Sequence, residues 1–118
     1  MLIKDLKEEA KENNNFRKVL MTGTNSQVVI MSIPVGGDIG EEVHPNIDQF
    51  FYFVKGDGEA VLDGETTQFE KHDAVFVRAG TMHNIKNTGD EDLKLFTVYA
   101  PPAHPDGTIH RTKEEAAE

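Results

Sequence analysis

The sequence predicts an all-β domain preceded by a short N-terminal arm that is helical or irregular. Three observations carry this. From residue 16 onward, short runs rich in branched and aromatic residues alternate with turn residues. No helical segment separates those runs, which argues against a parallel α/β sheet. The chain has 118 residues, room for one domain and little else. Many short strands with close turn signals build a sandwich or a barrel.

The elements follow in order. Residues 1–12 set Leu2, Ile3, Leu6 and Ala10 at helical spacing among charges, which predicts an amphipathic turn or two docked on the barrel. A charged arm without fixed structure is the competing reading. Asn13, Asn14 and Asn15 stop the helical pattern. Residues 16–22 and 27–33 read as strands separated by Gly23-Thr24-Asn25, and Pro34-Val35-Gly36-Gly37 breaks the second. Residues 50–54 are dense in aromatic and branched side chains, and Gly56-Asp57-Gly58 turns the chain. Residues 60–62 and 66–69 flank Asp63-Gly64, a two-residue hairpin signal. Strands are also expected over 74–77, 83–86 and 93–99, with Pro101-Pro102 ending the last. Residues 103–112 read as irregular. Thr112 with Glu115 fits a capping box, so a frayed final helix is expected, running into a solvated acidic end over 114–118.

Composition narrows the function. An apolar fraction of 37% suffices for a single core. A chain this short leaves much surface uncovered, so a homodimer is expected. The absence of cysteine excludes disulfides, thiolate metal sites and cysteine nucleophiles. Acidic residues outnumber basic ones 21 to 12, for a net charge of -9, which argues against a nucleic-acid partner. No apolar run approaches the roughly 20 residues that span a bilayer. Residues 1–15 lack the apolar segment of a signal peptide, so a cytoplasmic location is expected.

Two stretches carry candidate chemistry. Glu42 and His44 are two apart, and on one strand both would point to the same side. Gln49 opens the next apolar strand and shares its face with Phe51 and Phe53. If that face is the interior, Glu42, His44 and Gln49 meet at one end of it, above an aromatic floor. His83 comes from a later strand, after the Ala79-Gly80-Thr81 turn. These four offer nitrogen and oxygen only, a set that suits Mn, Fe, Ni, Zn or Cu. On an octahedral ion, four protein ligands leave two open positions. One carboxylate against a divalent ion leaves the site net positive, so it should favour a small anionic molecule.

These stretches resemble the two motifs of a single-domain cupin of the Cupin_2 type. The family's first motif is Gly, five residues, His-x-His, three or four residues, Glu, six residues, Gly. Here Gly36 is followed by five residues, Glu42-Val43-His44, four residues, Gln49, six residues and Gly56. The second is Gly, five residues, Pro-x-Gly, two residues, His, three residues, Asn. Here it reads His72, five residues, Arg78-Ala79-Gly80, two residues, His83, three residues, Asn87. The resemblance implies a double-stranded β-helix, or jelly-roll, of two antiparallel sheets. It divides one domain into an arm and first strand (1–27), a barrel (28–101) and an irregular tail (102–118). It maps the family's four metal-ligand positions onto Glu42, His44, Gln49 and His83.

Two of these depart from the family pattern: Glu42 stands for a His and Gln49 for a Glu. The carboxylate moves from the third position to the first, so the ligand charge is unchanged. His72 and Arg78 replace a Gly and a Pro at turns, and His tolerates positive φ better than most residues. Gln49 has a second reading, as a hydrogen-bond partner that orients a ligating His. Phe51 and Phe53 are expected to line the pocket. Phe50, Tyr52 and Val54 are expected to face outward as an apolar stripe for a partner sheet or a second subunit. His72, His104 and His110 are expected at the surface; the alternative has the 104–110 segment folded over the barrel mouth. Asp48 is expected to be solvated.

Function is then expected to be that of a metal-dependent enzyme acting on a small anionic metabolite, an organic acid or sugar derivative, by isomerase, decarboxylase or dioxygenase chemistry. The alternatives are a non-catalytic small-molecule-binding or sensing cupin in the same pocket, and a structural barrel without metal.

Overall fold

The computed structural model describes residues 1–117, so the last residue of the acidic end lies outside the described residues. The elements run α1 (Leu6–Glu12), β1 (Arg17–Thr22), β2 (Gln27–Ile33), β3 (Asp48–Lys55), β4 (Gly58–Leu62), β5 (Glu65–Phe69), β6 (Ala74–Val77), β7 (His83–Asn87), β8 (Leu93–Ala100), β9 (Ile109–His110) and α2 (Lys113–Ala116). Six strands form one sheet in the order β6-β3-β8-β2-β1-β9, and three form another in the order β5-β4-β7. Every strand pair is antiparallel. The predicted β-rich reading and the short N-terminal helix both hold.

The large sheet's register sets its inner face in rows. Gln49, Tyr99 and Gln27 are cross-strand neighbours on β3, β8 and β2. The next inward row is Phe51, Thr97 and Val29, and the third is Phe53, Leu95 and Met31. All nine are buried. The lumen is therefore polar at one end and apolar at the other. Phe53 stacks on Phe69 of the facing sheet, with ring centroids 3.6 Å apart, and on Phe51, at 6.3 Å. This is the aromatic floor expected from the alternation of β3.

Turn chemistry matches the residues that supply it. Asp63 and Gly64 both take positive φ, as a two-residue hairpin with the right twist requires. His72 adopts φ 79°, the conformation a Gly would take there. Thr112 Oγ1 accepts from the Glu115 backbone N–H at 3.1 Å and so caps α2. The return half of the box is displaced by one residue: Glu115 accepts from Arg111 N, not from Thr112.

Two expectations are corrected. The 103–112 segment is not wholly irregular, because Ile109 and His110 pair with Lys18 and Arg17 as β9. The outward stripe of β3 is not left open either. Val54 is fully buried beneath α1, in a cluster with Ala10 and Ile30 against which Leu6, Tyr52 and Phe96 pack. The docked arm thus covers the Tyr52 and Val54 part of the stripe, while Phe50 lies outside this cluster. Lys94 locks the end of this arm: its buried Nζ donates to the Asn13 carbonyl, to Asn14 Oδ1 at 3.2 Å and to Ser32 Oγ at 3.0 Å. Asn13 closes its own turn by accepting from Asn15 N at 3.0 Å, the physical form of the predicted stop.

Gly58 is the tightest backbone approach. A Cβ there would lie 2.1 Å from the Lys86 carbonyl oxygen and 2.7 Å from the Phe69 ring. The obstacle on one side is backbone of the paired strand, which cannot step aside without breaking β4–β7 pairing. Gly58→Ala is expected to cost at least about 2 kcal/mol by overpacking, read as a lowered midpoint in urea with an unchanged slope.

Candidate metal centre

Glu42 and His44 reach the lumen from a segment that is not a strand. Residues 41–44 make one isolated bridge, Glu42 to His83. Gly40, at φ 93°, lies just before and Pro45, without an N–H, just after, so a longer ladder cannot form. The expectation of a strand here is corrected, but the extended backbone keeps the two-residue alternation. The bridge itself is reciprocal: Glu42 N donates to His83 O and His83 N to Glu42 O, both at 2.9 Å. Two ligand positions distant in sequence are thus tied backbone to backbone. Gly80 N donates to the His44 carbonyl at 2.8 Å, and Asp48 Oδ1 accepts from Ala79 N at 2.8 Å. Asp48 is exposed as expected, yet it pins the turn that leads into His83.

One ligand atom each from Glu42, His44 and His83 lies within 4.8 Å of the others. The His44 and His83 rings are 5.5 Å apart, and His44 Nε2 is 3.5 Å from Glu42 Oε2, long for a good hydrogen bond. His83 is 1% exposed, and its Nδ1 sits 3.0 Å from the Thr81 carbonyl. A carbonyl only accepts, so Nδ1 carries a proton, which leaves Nε2 as the nitrogen that can offer a lone pair to a metal. Gln49 Nε2 donates to Thr97 Oγ1 at 3.0 Å, which orients the amide and leaves Oε1 free. Burial pushes the His44 imidazole below the usual histidine range; Glu42 pulls it upward, and His83 and Arg17 add to the downward push. The ring is therefore mainly neutral, with a lone pair, at pH 7.

Among the described residues, five buried side-chain atoms lack a hydrogen-bond partner: Arg17 Nε, His44 Nε2, Gln49 Oε1, His83 Nε2 and His104 Nε2. Three belong to the predicted ligand set. Each lone pair left unmet in a buried place costs roughly 1–3 kcal/mol, and a cation held among Glu42, His44 and His83 would meet both imidazole lone pairs at once. The residues present fit a divalent transition metal with imidazole and oxygen donors. A cavity of about 500 Å3 lies elsewhere, among Phe16, Ser32, Pro34, Asp38 and Lys113, and includes none of these donors.

The neighbourhood holds residues that the motifs did not flag. Tyr99 is 1% exposed, with its ring edge-on to His44 at 6.0 Å and to His104 at 5.1 Å. Burial pushes its phenol above the ordinary tyrosine range, opposed by the charge of Arg17. The expectation of His104 at the surface is corrected. Gln27, buried at the polar end, accepts from Ala103 N at 3.2 Å and His104 N at 3.1 Å and donates to His104 O at 2.7 Å. A buried amide that needs partners draws the tail across the mouth. Burial lowers the His104 pKa to about 4, with Arg17 adding to the effect. His72 is exposed as expected, and its Nδ1 lies 3.1 Å from the Tyr52 hydroxyl. His110 is half-buried, with Nδ1 3.2 Å from Arg17 Nη1. Arg17 lay within reach of the sequence: it alternates with Val19 on one strand, so a buried Val19 turns Arg17 inward too.

The Cupin domain family matches residues 29–99 of this sequence. The chain belongs to the cupin family. This cupin is 43% identical over 118 residues to the uncharacterized protein YrkC of Bacillus subtilis, a match over 95% of the chain and 63% of YrkC. The chain thus spans under two thirds of that relative's length. A crystal structure of BH2720 from Bacillus halodurans superposes with a TM-score of 0.97 at 41% identity, over 98% of this cupin and 92% of that chain. A predicted oxalate decarboxylase from Thermotoga maritima superposes with a TM-score of 0.62 at 26% identity, over 64% and 66% of the two chains. The family's jelly-roll accounts for the two sheets and for the convergence of both motifs at one end of the lumen. Among the described residues, no helix is long and apolar enough to cross a membrane.

Proposed function

We propose that this cupin is a metal-dependent enzyme that acts on a small anionic metabolite, an organic acid or sugar derivative. Glu42, His44, Gln49 and His83 would hold one divalent transition metal of the Mn, Fe, Ni, Zn or Cu group. The observation that carries this is the orphaned set of lone pairs on His44, His83 and Gln49, in a lumen where the Glu42 carboxylate is also within reach. When bound, the metal supplies Lewis-acid polarisation of a substrate oxygen. The chain's own residues do the rest. The Thr81 carbonyl holds His83 in its tautomer, and Thr97 holds the Gln49 amide. Phe51, 6.4 Å from the His83 ring, closes the apolar side of the pocket against water. The similarity to a predicted oxalate decarboxylase supports an organic acid as the substrate class. Neighbouring chemistries on such scaffolds differ, so the reaction type follows from the substrate and not from the fold.

Elemental analysis of the purified protein tests the metal. About one divalent ion per chain is expected, and none in the Glu42→Ala/His44→Ala double variant. Turnover of small organic acids and sugar phosphates by the metal-loaded protein then separates an enzyme from a binding or sensing module. Wild-type protein that refuses Mn, Fe, Ni, Zn and Cu alike would overturn the proposal.

A further inference from the structure

The orphaned atoms of the lumen are of two kinds, and a cation can satisfy only one of them. His44 Nε2, His83 Nε2 and Gln49 Oε1 offer lone pairs. Arg17 Nε offers only an N–H. Arg17 is 8% exposed, and among the described residues no carboxylate forms a salt bridge with it. Its neighbours are two rings: the His110 nitrogen at 3.2 Å and the Phe16 ring at 5.3 Å. It approaches the Tyr99 hydroxyl closely enough to weigh on its proton, and its charge reaches His44 and His104. A guanidinium is always charged, so it cannot relieve its burial by losing a proton. In a chain of net charge -9, an unpaired arginine turned into the barrel is out of keeping with the surface around it.

We propose that Arg17 is the docking group for a carboxylate of the ligand, and that the ligand is a small dicarboxylate or oxo-carboxylate whose other end lies at the Glu42/His44/Gln49/His83 cluster. For that far end the inference rests on the metal reading above; for the near end it stands on Arg17 alone. The guanidinium edge matches a carboxylate in plane and charge. His110 on Nη1 and Phe16 beneath the fork hold that edge in place. His104, whose Nε2 is also orphaned and whose ring packs on Tyr99, lies on the same side and donates or accepts according to its tautomer. The ligand then has a defined orientation: one end at Arg17, the other presented to the metal ligands.

Isothermal titration calorimetry with oxalate, malonate and succinate decides it, on wild type, Arg17→Met and Arg17→Lys, each metal-free and metal-loaded. At least one of the three acids is expected to bind wild type, and Arg17→Met to weaken it by at least about 30-fold while keeping the wild-type metal content. Arg17→Lys is expected to recover part of the affinity, since it keeps the charge and loses the fork. Undiminished binding to Arg17→Met, or no binding of any of the three acids to wild type at millimolar concentration, overturns the inference. Should Arg17→Met fail to fold, Arg17→Lys decides by the same reading: weakened binding supports the assignment and unchanged binding ends it. If wild type takes no metal, the metal proposal falls, and Arg17-dependent binding of the acids to metal-free protein still tests this one.

Discussion

Replacing His83 with alanine is expected to abolish metal retention, with affinity lowered on the order of 100-fold or more. His83 is the most sequestered of the cluster, 1% exposed, and the Thr81 carbonyl fixes its ring in the ligating tautomer. The other donors cannot compensate. Glu42 and His44 lie on one short segment bonded to the His83 backbone, and Gln49 is held by Thr97. A thermal melt with and without added metal is the direct measurement. A ligand at 100 times its Kd stabilises a folded chain by about 2.7 kcal/mol, which for a domain of this size is a rise of roughly 10 °C. Wild type is expected to show that rise and His83→Ala to show none. Gln49→Ala should fall between them, because an amide oxygen is a weaker ligand than an imidazole. A full metal-dependent shift in His83→Ala would remove this residue from the site.

Phe53→Ala is expected to cost about 3–5 kcal/mol, a large share of the roughly 5–15 kcal/mol that holds a domain together. Phe53 is fully buried and lies between the sheets, stacked 3.6 Å from Phe69 on β5 and 6.3 Å from Phe51 on its own strand. Few other groups stand ready to fill the space, because its row neighbours Leu95 and Met31 are already packed. The loss appears as a lowered urea midpoint. Metal binding by the fraction that stays folded should change little, since Phe53 sits two rows from Gln49 on the same strand face. A cost below about 1 kcal/mol would mean that the aromatic stack does not join the two sheets. The two variants thus separate the site from the scaffold: one removes metal and spares the fold, the other weakens the fold and spares the ligands.

Much of this was legible because it is local. Strand alternation needs only neighbours in sequence, so Phe51 and Phe53 were placed on the face of Gln49, the face that turns inward. Turn residues act over two to four positions, so Asp63-Gly64 followed from residue type, while the positive φ of His72 was implied by the family motif, which sets a Gly there. The pairing of two motifs at set spacing pointed to four residues, and Glu42, His44 and His83 do converge. What failed was non-local. Val54 was expected on an open apolar face, for a partner sheet or a second subunit, because nothing in its own strand says that the N-terminal helix covers it. His104 was placed at the surface because the force that draws it in comes from Gln27, whose buried amide needs the 103–104 backbone.

The sequence by itself determined the all-β class, the turns, the two-faced character of each strand and the restriction of any metal site to nitrogen and oxygen donors. Each of these is a property of residue type at short range, written before any contact forms. Only the tertiary structure decided that Arg17, Tyr99 and His104 lie beside the Glu42/His44/His83 cluster, and that Lys94 locks the arm against the barrel. Such facts depend on which strand lies beside which. Cross-strand register and the demand of buried polar groups for partners set that, and neither is visible until the whole chain has closed.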